Sequence, residues 1–134
     1  MKIKCRTIAR GCAEGQVMMT HDPISFLGNV DPKTGKVVDV NHELFGQSIK
    51  DKVLVFPHGK GSTVGSYVIY QLFKNGVAPA AMINLESEPI VAVGAIISAI
   101  PLVDRLENDP YTFLKDGMSI KVNSSEGYVE VPEG

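Results

Sequence analysis

The sequence predicts an α+β domain with a β core and a few short helices. Three observations carry this. Short alternating or wholly apolar runs recur through the first half and again at the end, divided by turn pairs such as Asp31-Pro32 and Asp116-Gly117, the pattern of strands in a sheet. A central stretch from Val64 to Lys74 instead spaces its apolar residues in fours, the stripe of an amphipathic helix. With 134 residues, 44% hydrophobic and 21% charged, the chain can bury one full core, so a single domain over 1–134 is expected.

Taken in order, Lys2 to Ile8 alternates polar and apolar residues and predicts a half-buried strand, and Gln16 to Thr20 predicts a second. His21-Asp22-Pro23 reads as a turn, Ile24 to Gly28 as an extended run, and Asp31 to Gly35 as a tight turn with Asp31 anchoring it through its side chain. Lys36 to Val40 is expected to pair back as a strand, and His42 to Gly46 to form a loop. Val53 to Phe56 reads as a buried strand. The helix that follows has Val64, Val68, Leu72, Ile69 and Phe73 on its apolar face and stops at Asn75-Gly76. Pro79 to Asn84 is a further buried strand, giving one βαβ unit. Ile90 to Ile100 fits helix or strand; a helix capped by Ser87 with Pro89 in its first turn is the preferred reading. Pro101 to Asp104 reads as a strand, Asp109-Pro110 opens a helical turn through Leu114, and Met118–Val122 with Tyr128–Val131 forms a closing hairpin.

Composition excludes several function classes. Thirteen Lys and Arg against 15 Asp and Glu leave no basic block for nucleic acid. The longest apolar stretch, Ile90 to Leu102, is too short to span a bilayer, and the N-terminus has no secretory leader pattern. Two cysteines, Cys5 and Cys12, cannot ligate a zinc ion or an iron–sulfur cluster by themselves. Reduced thiols in a cytoplasmic protein are expected.

The chemistry-bearing stretch is Pro57-His58-Gly59-Lys60-Gly61-Ser62-Thr63-Val64-Gly65-Ser66. It joins a strand to a helix through glycines, so its N–H groups and the helix dipole favour negative charge in front of it. Ser62 either caps the helix or serves as a site hydroxyl. Lys60 adds a cation, Thr63 a second hydroxyl, and Ser66 a third one turn later. His58 is either structural or an acid–base group; His42, between Asp39 and Glu43, has no ligand set around it.

The ordered motifs Ile24-Ser25-Phe26-Leu27-Gly28-Asn29-Val30-Asp31-Pro32, Thr34-Gly35, His42, Gly46, the loop from Pro57 to Ser66, Gly76-Val77-Ala78-Pro79-Ala80 and Val93-Gly94-Ala95 resemble the small subunits of aconitase X enzymes. The resemblance spans roughly Gly11 to Val131. It implies a swivelling β/β/α domain like the mobile domain of aconitase. It also implies a separate large subunit that holds an iron–sulfur cluster and forms a heterodimer with this chain. The implied reaction is dehydration of mevalonate 5-phosphate to trans-anhydromevalonate 5-phosphate, with Ser62 as the base; bacterial relatives are similar to hydroxyproline dehydratases. Aconitase carries Gly-Ser-Ser-Arg where this chain has Gly61-Ser62-Thr63-Val64. The arginine that grips a citrate-like carboxylate is therefore replaced by Val64, and Lys60 or a partner residue must hold the acid.

Such a dehydration needs a base for the α-proton and a Lewis acid for the departing hydroxyl. A serine acts as base only as an alkoxide stabilised by N–H groups, a helix start and a cation. The loop supplies all three, with Lys60, Gly61, Thr63 and Ser66 as substrate contacts and no metal ligand of its own. The apolar surplus in Met18, Met19, Phe26, Leu27 and Val91 to Leu102 fits partly a core and partly a contact surface for the large subunit. Two other readings remain open: a phosphohistidine-type swivelling carrier, which needs its histidine at the helix start, and an anion-binding module without chemistry.

Overall fold

In the computed structural model, which describes residues 1–132, strands and helices follow one another as β1 (Lys2–Lys4), β2 (Arg6–Ala9), β3 (Cys12–Met19), α1 (Phe26–Asn29), β4 (Val53–Val55), α2 (Gly65–Lys74), β5 (Ala81–Ile83), α3 (Pro89–Ile97), β6 (Leu102–Asp104), α4 (Pro110–Phe113), β7 (Ser119–Asn123) and β8 (Tyr128–Glu130). Residues 133–134, the end of the expected 1–134 domain, lie outside the described residues.

All eight strands join one mixed sheet in the order β1-β8-β7-β3-β4-β5-β6-β2. β3, β4, β5 and β6 run parallel, while β7 and β8 form the antiparallel hairpin expected at the C-terminus. The sheet curls, because β1 and β2 stand at opposite ends of the order yet are separated in the chain by Cys5 alone.

Curling makes three layers. Side chains alternate along a strand, so Val53 and Val55 point into one core with Val17, Ile83, Val122 and Val129, between the parallel and antiparallel halves. Leu54 points the other way, into a second core with Met82, Leu102 and the buried faces of α2 and α3. The layers are therefore β, β and α, the architecture expected.

Several local expectations need correction. Lys2 to Ile8 is two strands, since the chain leaves β8 for β6 at Cys5. The second strand begins at Cys12, because β7 pairs with its polar first half. Ile24 to Gly28 is not extended throughout: Ile24 bridges to Gly59, and α1 is a single turn broken at Leu27 and Gly28. Lys36 to Val40 makes only isolated bridges, Val37 to Val30 and Lys36 to Ser48. The one βαβ unit expected is extended by another, since β6 lies parallel to β5 across α3. Val64 and Phe73 are exposed, so the buried face of α2 is Gly65, Val68, Ile69 and Leu72. Glu88, not Ser87, caps α3, its carboxylate accepting the N–H groups of Ile90 at 3.0 Å and Val91 at 2.7 Å. The Ser87 N–H goes instead to the buried Asp104 carboxylate at 2.7 Å, which also receives a two-point bond from Arg6.

Candidate functional site

The loop of interest lies at the C-terminal end of the parallel strands, where β4 and β5 part toward α2 and α3. Its path is held from three sides. Asn84, after β5, donates through Nδ2 to the Phe56 carbonyl at 3.1 Å. Ile24 accepts the Lys60 N–H at 3.0 Å and donates to the His58 carbonyl at 3.3 Å. The start of α3 presses from below: a Cβ on Gly59 would lie 2.5 Å from the Glu88 carboxylate and collide with Val91. Gly59 is thus required by close approach, and Gly61 by its backbone, with φ +92° and Ser25 Oγ only 2.5 Å from where a Cβ would stand.

Beyond Gly61 the chain forms a turn before the helix. Ser62 Oγ accepts the Val64 N–H at 3.2 Å, and its carbonyl accepts the Gly65 N–H at 2.9 Å. This is a serine turn, two positions ahead of the capping role, because α2 begins at Gly65 and its cap position is Val64. Ser62 and Lys60 are exposed, as are Gly61 and Thr63. The N–H groups of Gly61, Ser62 and Thr63 meet no acceptor among the described residues. Three consecutive unsatisfied donors, an open helix start and the Lys60 ammonium give this edge positive potential. Ser66 is half-buried, and its hydroxyl is turned back onto the Thr63 carbonyl at 3.0 Å.

The remaining candidates separate from this cluster. His58 is exposed, and its Nδ1 lies 2.8 Å from the Gly59 carbonyl, which fixes the hydrogen on that nitrogen. His42 is buried and structural: Nδ1 accepts the Leu44 N–H at 3.1 Å and Nε2 faces the Pro23 carbonyl at 3.2 Å. Asp31 anchors its turn through the Lys33 N–H at 2.9 Å and the Thr34 hydroxyl at 3.1 Å. His21 stacks on Tyr111 at 4.5 Å beside a cleft of about 420 Å³. There the Glu43 carboxylate is held below its ordinary range by the Thr20 hydroxyl and the His21 N–H, and burial pushes the Tyr111 phenol up to about 12. Among the described residues no three His, Cys, Asp or Glu side chains cluster as a metal site. Cys5 is half-buried and Cys12 exposed on different strands' margins, so the donor set does not fit an iron–sulfur cluster held by this chain. No helix is long and apolar enough to cross a membrane among the described residues.

Ser25 and Asn29 stand behind the loop without being among the residues expected at the site. Both sit in the Ile24–Pro32 motif, and their spacing of four was the available signal.

A swivelling β/β/α layer with a serine loop at its parallel-strand end defines the mobile domain of an aconitase-type dehydratase. The chain belongs to the aconitase X swivel domain family, whose model matches residues 2–131. It is 70% identical over 131 residues to the phosphomevalonate dehydratase small subunit of Methanococcoides burtonii, covering 98% of this chain and 96% of that one. To the protein of the same name from Thermococcus onnurineus it is 55% identical over 133 residues, covering 99% and 100%. The crystal structure of holo-form aconitase X from Thermococcus kodakaraensis superposes with a TM-score of 0.93 at 54% identity over 99% of both chains. A 3-isopropylmalate dehydratase from Methanocaldococcus jannaschii shares the fold at TM-score 0.60 and 17% identity, covering 92% of this chain and 84% of that one.

Proposed function

We propose that this chain is the small subunit of a cytoplasmic hydro-lyase that converts mevalonate 5-phosphate to trans-anhydromevalonate 5-phosphate, with Ser62 as the base. The relatives' names support the reaction. The observation that carries the base is the run of unsatisfied N–H groups at Gly61, Ser62 and Thr63 around an exposed hydroxyl. The Val64 N–H already on Ser62 Oγ, the positive potential of these free donors and the Lys60 ammonium lower the cost of an alkoxide there. That oxygen takes the proton from the carbon beside the substrate carboxylate, the new double bond forms toward the neighbouring carbon, and hydroxide departs from it. An iron–sulfur cluster held by a large subunit would supply Lewis acidity for that departure. Lys60, the Gly61 N–H and the Thr63 hydroxyl hold anionic oxygens, and Ser66 joins them by giving up its bond to Thr63.

Partner contact falls to apolar residues that the fold leaves outside. Met18, Phe26, Val91, Ala95, Ile100 and Leu102 are core, whereas Leu27, Val93, Ile96 and Ile97 are exposed, as are Val64 at the cap of α2 and Tyr67 in its first turn. The carrier reading loses support because His58 stands seven positions ahead of α2 rather than at its start.

The test is Ser62→Ala in the co-expressed pair, assayed on mevalonate 5-phosphate. Turnover should fall by about 100- to 10,000-fold while the pair still co-elutes. Undiminished turnover would remove Ser62 as the base; separate elution of the two native chains would remove the heterodimer.

A further inference from the structure

We infer that Asn29 is a positioning residue, which with Ser25 and Asp39 sets the place of the Gly61–Ser62 turn; the inference rests on the reading of Ser62 as base. The observation is a buried amide behind the loop, bonded through both its oxygen and its nitrogen. Asn29 is 7% exposed. Its Oδ1 accepts the Ser25 N–H at 2.7 Å, and its Nδ2 donates to Asp39 Oδ2 at 2.8 Å. Its own N–H returns to the Ser25 carbonyl at 3.0 Å, and its carbonyl accepts the Val38 N–H at 2.8 Å. Both main-chain groups of Ser25 are therefore clamped by one side chain and its backbone.

Ser25 in turn is the wall on which the loop leans. Its Oγ stands 2.5 Å from where a Gly61 Cβ would be, and donates to the Leu27 carbonyl at 2.8 Å. The residue before it, Ile24, makes the two main-chain bonds that fix His58 and Lys60. A displacement of residues 24–25 must carry Gly61 with it, and Ser62 follows. An apolar residue would fill the space under this wall without desolvating an amide. An amide bonded at both its oxygen and its nitrogen instead favours one geometry. The base must meet a single C–H bond, and a misplacement near 1 Å can cost about 100-fold in rate.

Three variants test this: Asn29→Asp, which keeps the acceptor for Ser25 but sets a carboxylate against Asp39; Asp39→Ala, at a half-buried site, which removes the acceptor of the Asn29 amide and of the Asn41 N–H; and Asp39→Asn, which keeps an acceptor. In amide exchange of the full chain, the first two should speed exchange at Lys60 N–H several-fold and leave Leu54 in β4 unchanged. In the co-expressed pair they should lower kcat on mevalonate 5-phosphate by about 10- to 100-fold, with KM within about twofold, and Asp39→Asn should restore it. In a Ser62→Ala background neither should lower the residual rate further. Unchanged exchange at Lys60, or equal losses in both backgrounds, overturns the inference. Full activity of Ser62→Ala alone overturns the base assignment instead, and the Lys60 exchange then decides whether the amide holds the turn.

Discussion

Gly94→Ala is the sharpest test of how α2 and α3 pack. Gly94 lies in the middle of α3, where alanine is favoured over glycine by about 1 kcal/mol. Propensity alone therefore predicts a more stable protein. The structure predicts the reverse. A Cβ there would stand 2.6 Å from Ile69 Cδ1, 3.0 Å from Ile69 Cβ and 3.2 Å from Ser66 Cα. The first atom ends a flexible side chain, but Ile69 is fully buried, and the other two belong to the body of α2. Overpacking of this kind costs about 1–3 kcal/mol, so the net effect is a loss of about 1 kcal/mol and a melting temperature lower by about 4 °C. Thermal unfolding followed by circular dichroism measures it. Pairing the change with Ile69→Val, which removes the nearest atom, should cost less than the two single losses added. A melting point equal to or above the parent's would show that the helices separate freely, and would refute the packing argument.

Other outcomes follow from the same structure. Tyr111 donates its hydroxyl to the Thr20 carbonyl at 2.6 Å, so Tyr111→Phe should cost about 1 kcal/mol in chemical denaturation at neutral pH. The same phenol is raised to about 12, by burial first and by Asp109 and Glu43 second. The unfolded chain gives up this proton from about pH 10; stability is thus intact below that value and falls between about 10 and about 12, and the fall should be shallower in Tyr111→Phe. Burial, aided by Asp104, pushes the Cys5 thiol up to about 11, whereas Cys12 is exposed. A thiol reagent at mildly alkaline pH should label Cys12 quickly and Cys5 only on unfolding, as read by peptide mass spectrometry.

Much of this was legible in the residues. The terminal hairpin, the strand before the glycine loop and the helix stop at Asn75-Gly76 follow from local chemistry, and local chemistry decided them: Asn75 closes α2 and Gly76 takes φ +71°. The helix assignment over Ile90–Ile100 also held, although its apolar residues surround the axis and its cap is Glu88. What alternation could not reveal was the transfer at Cys5, since a strand that changes neighbours keeps its period. The second crossover was hidden for a related reason: parallel pairing of β5 with β6 is a long-range event with no local mark. At the loop, the glycines announced close approach, yet their neighbours Ser25 and Glu88 come from distant stretches. The free N–H groups have no local mark, because they depend on the turn at Ser62, which puts the start of α2 two residues later than a Ser62 cap would.

The curl of the sheet has a consequence for how the chain is made. β1 and β2 are made before the strands they pair with. β1 must wait for Tyr128–Glu130 and β2 for Leu102–Asp104. Until then both rims of the growing sheet stay bare, with donors and acceptors open to any stray strand. Completion at the far end seals the two rims together, so trimming the first nine residues would unseal both at once.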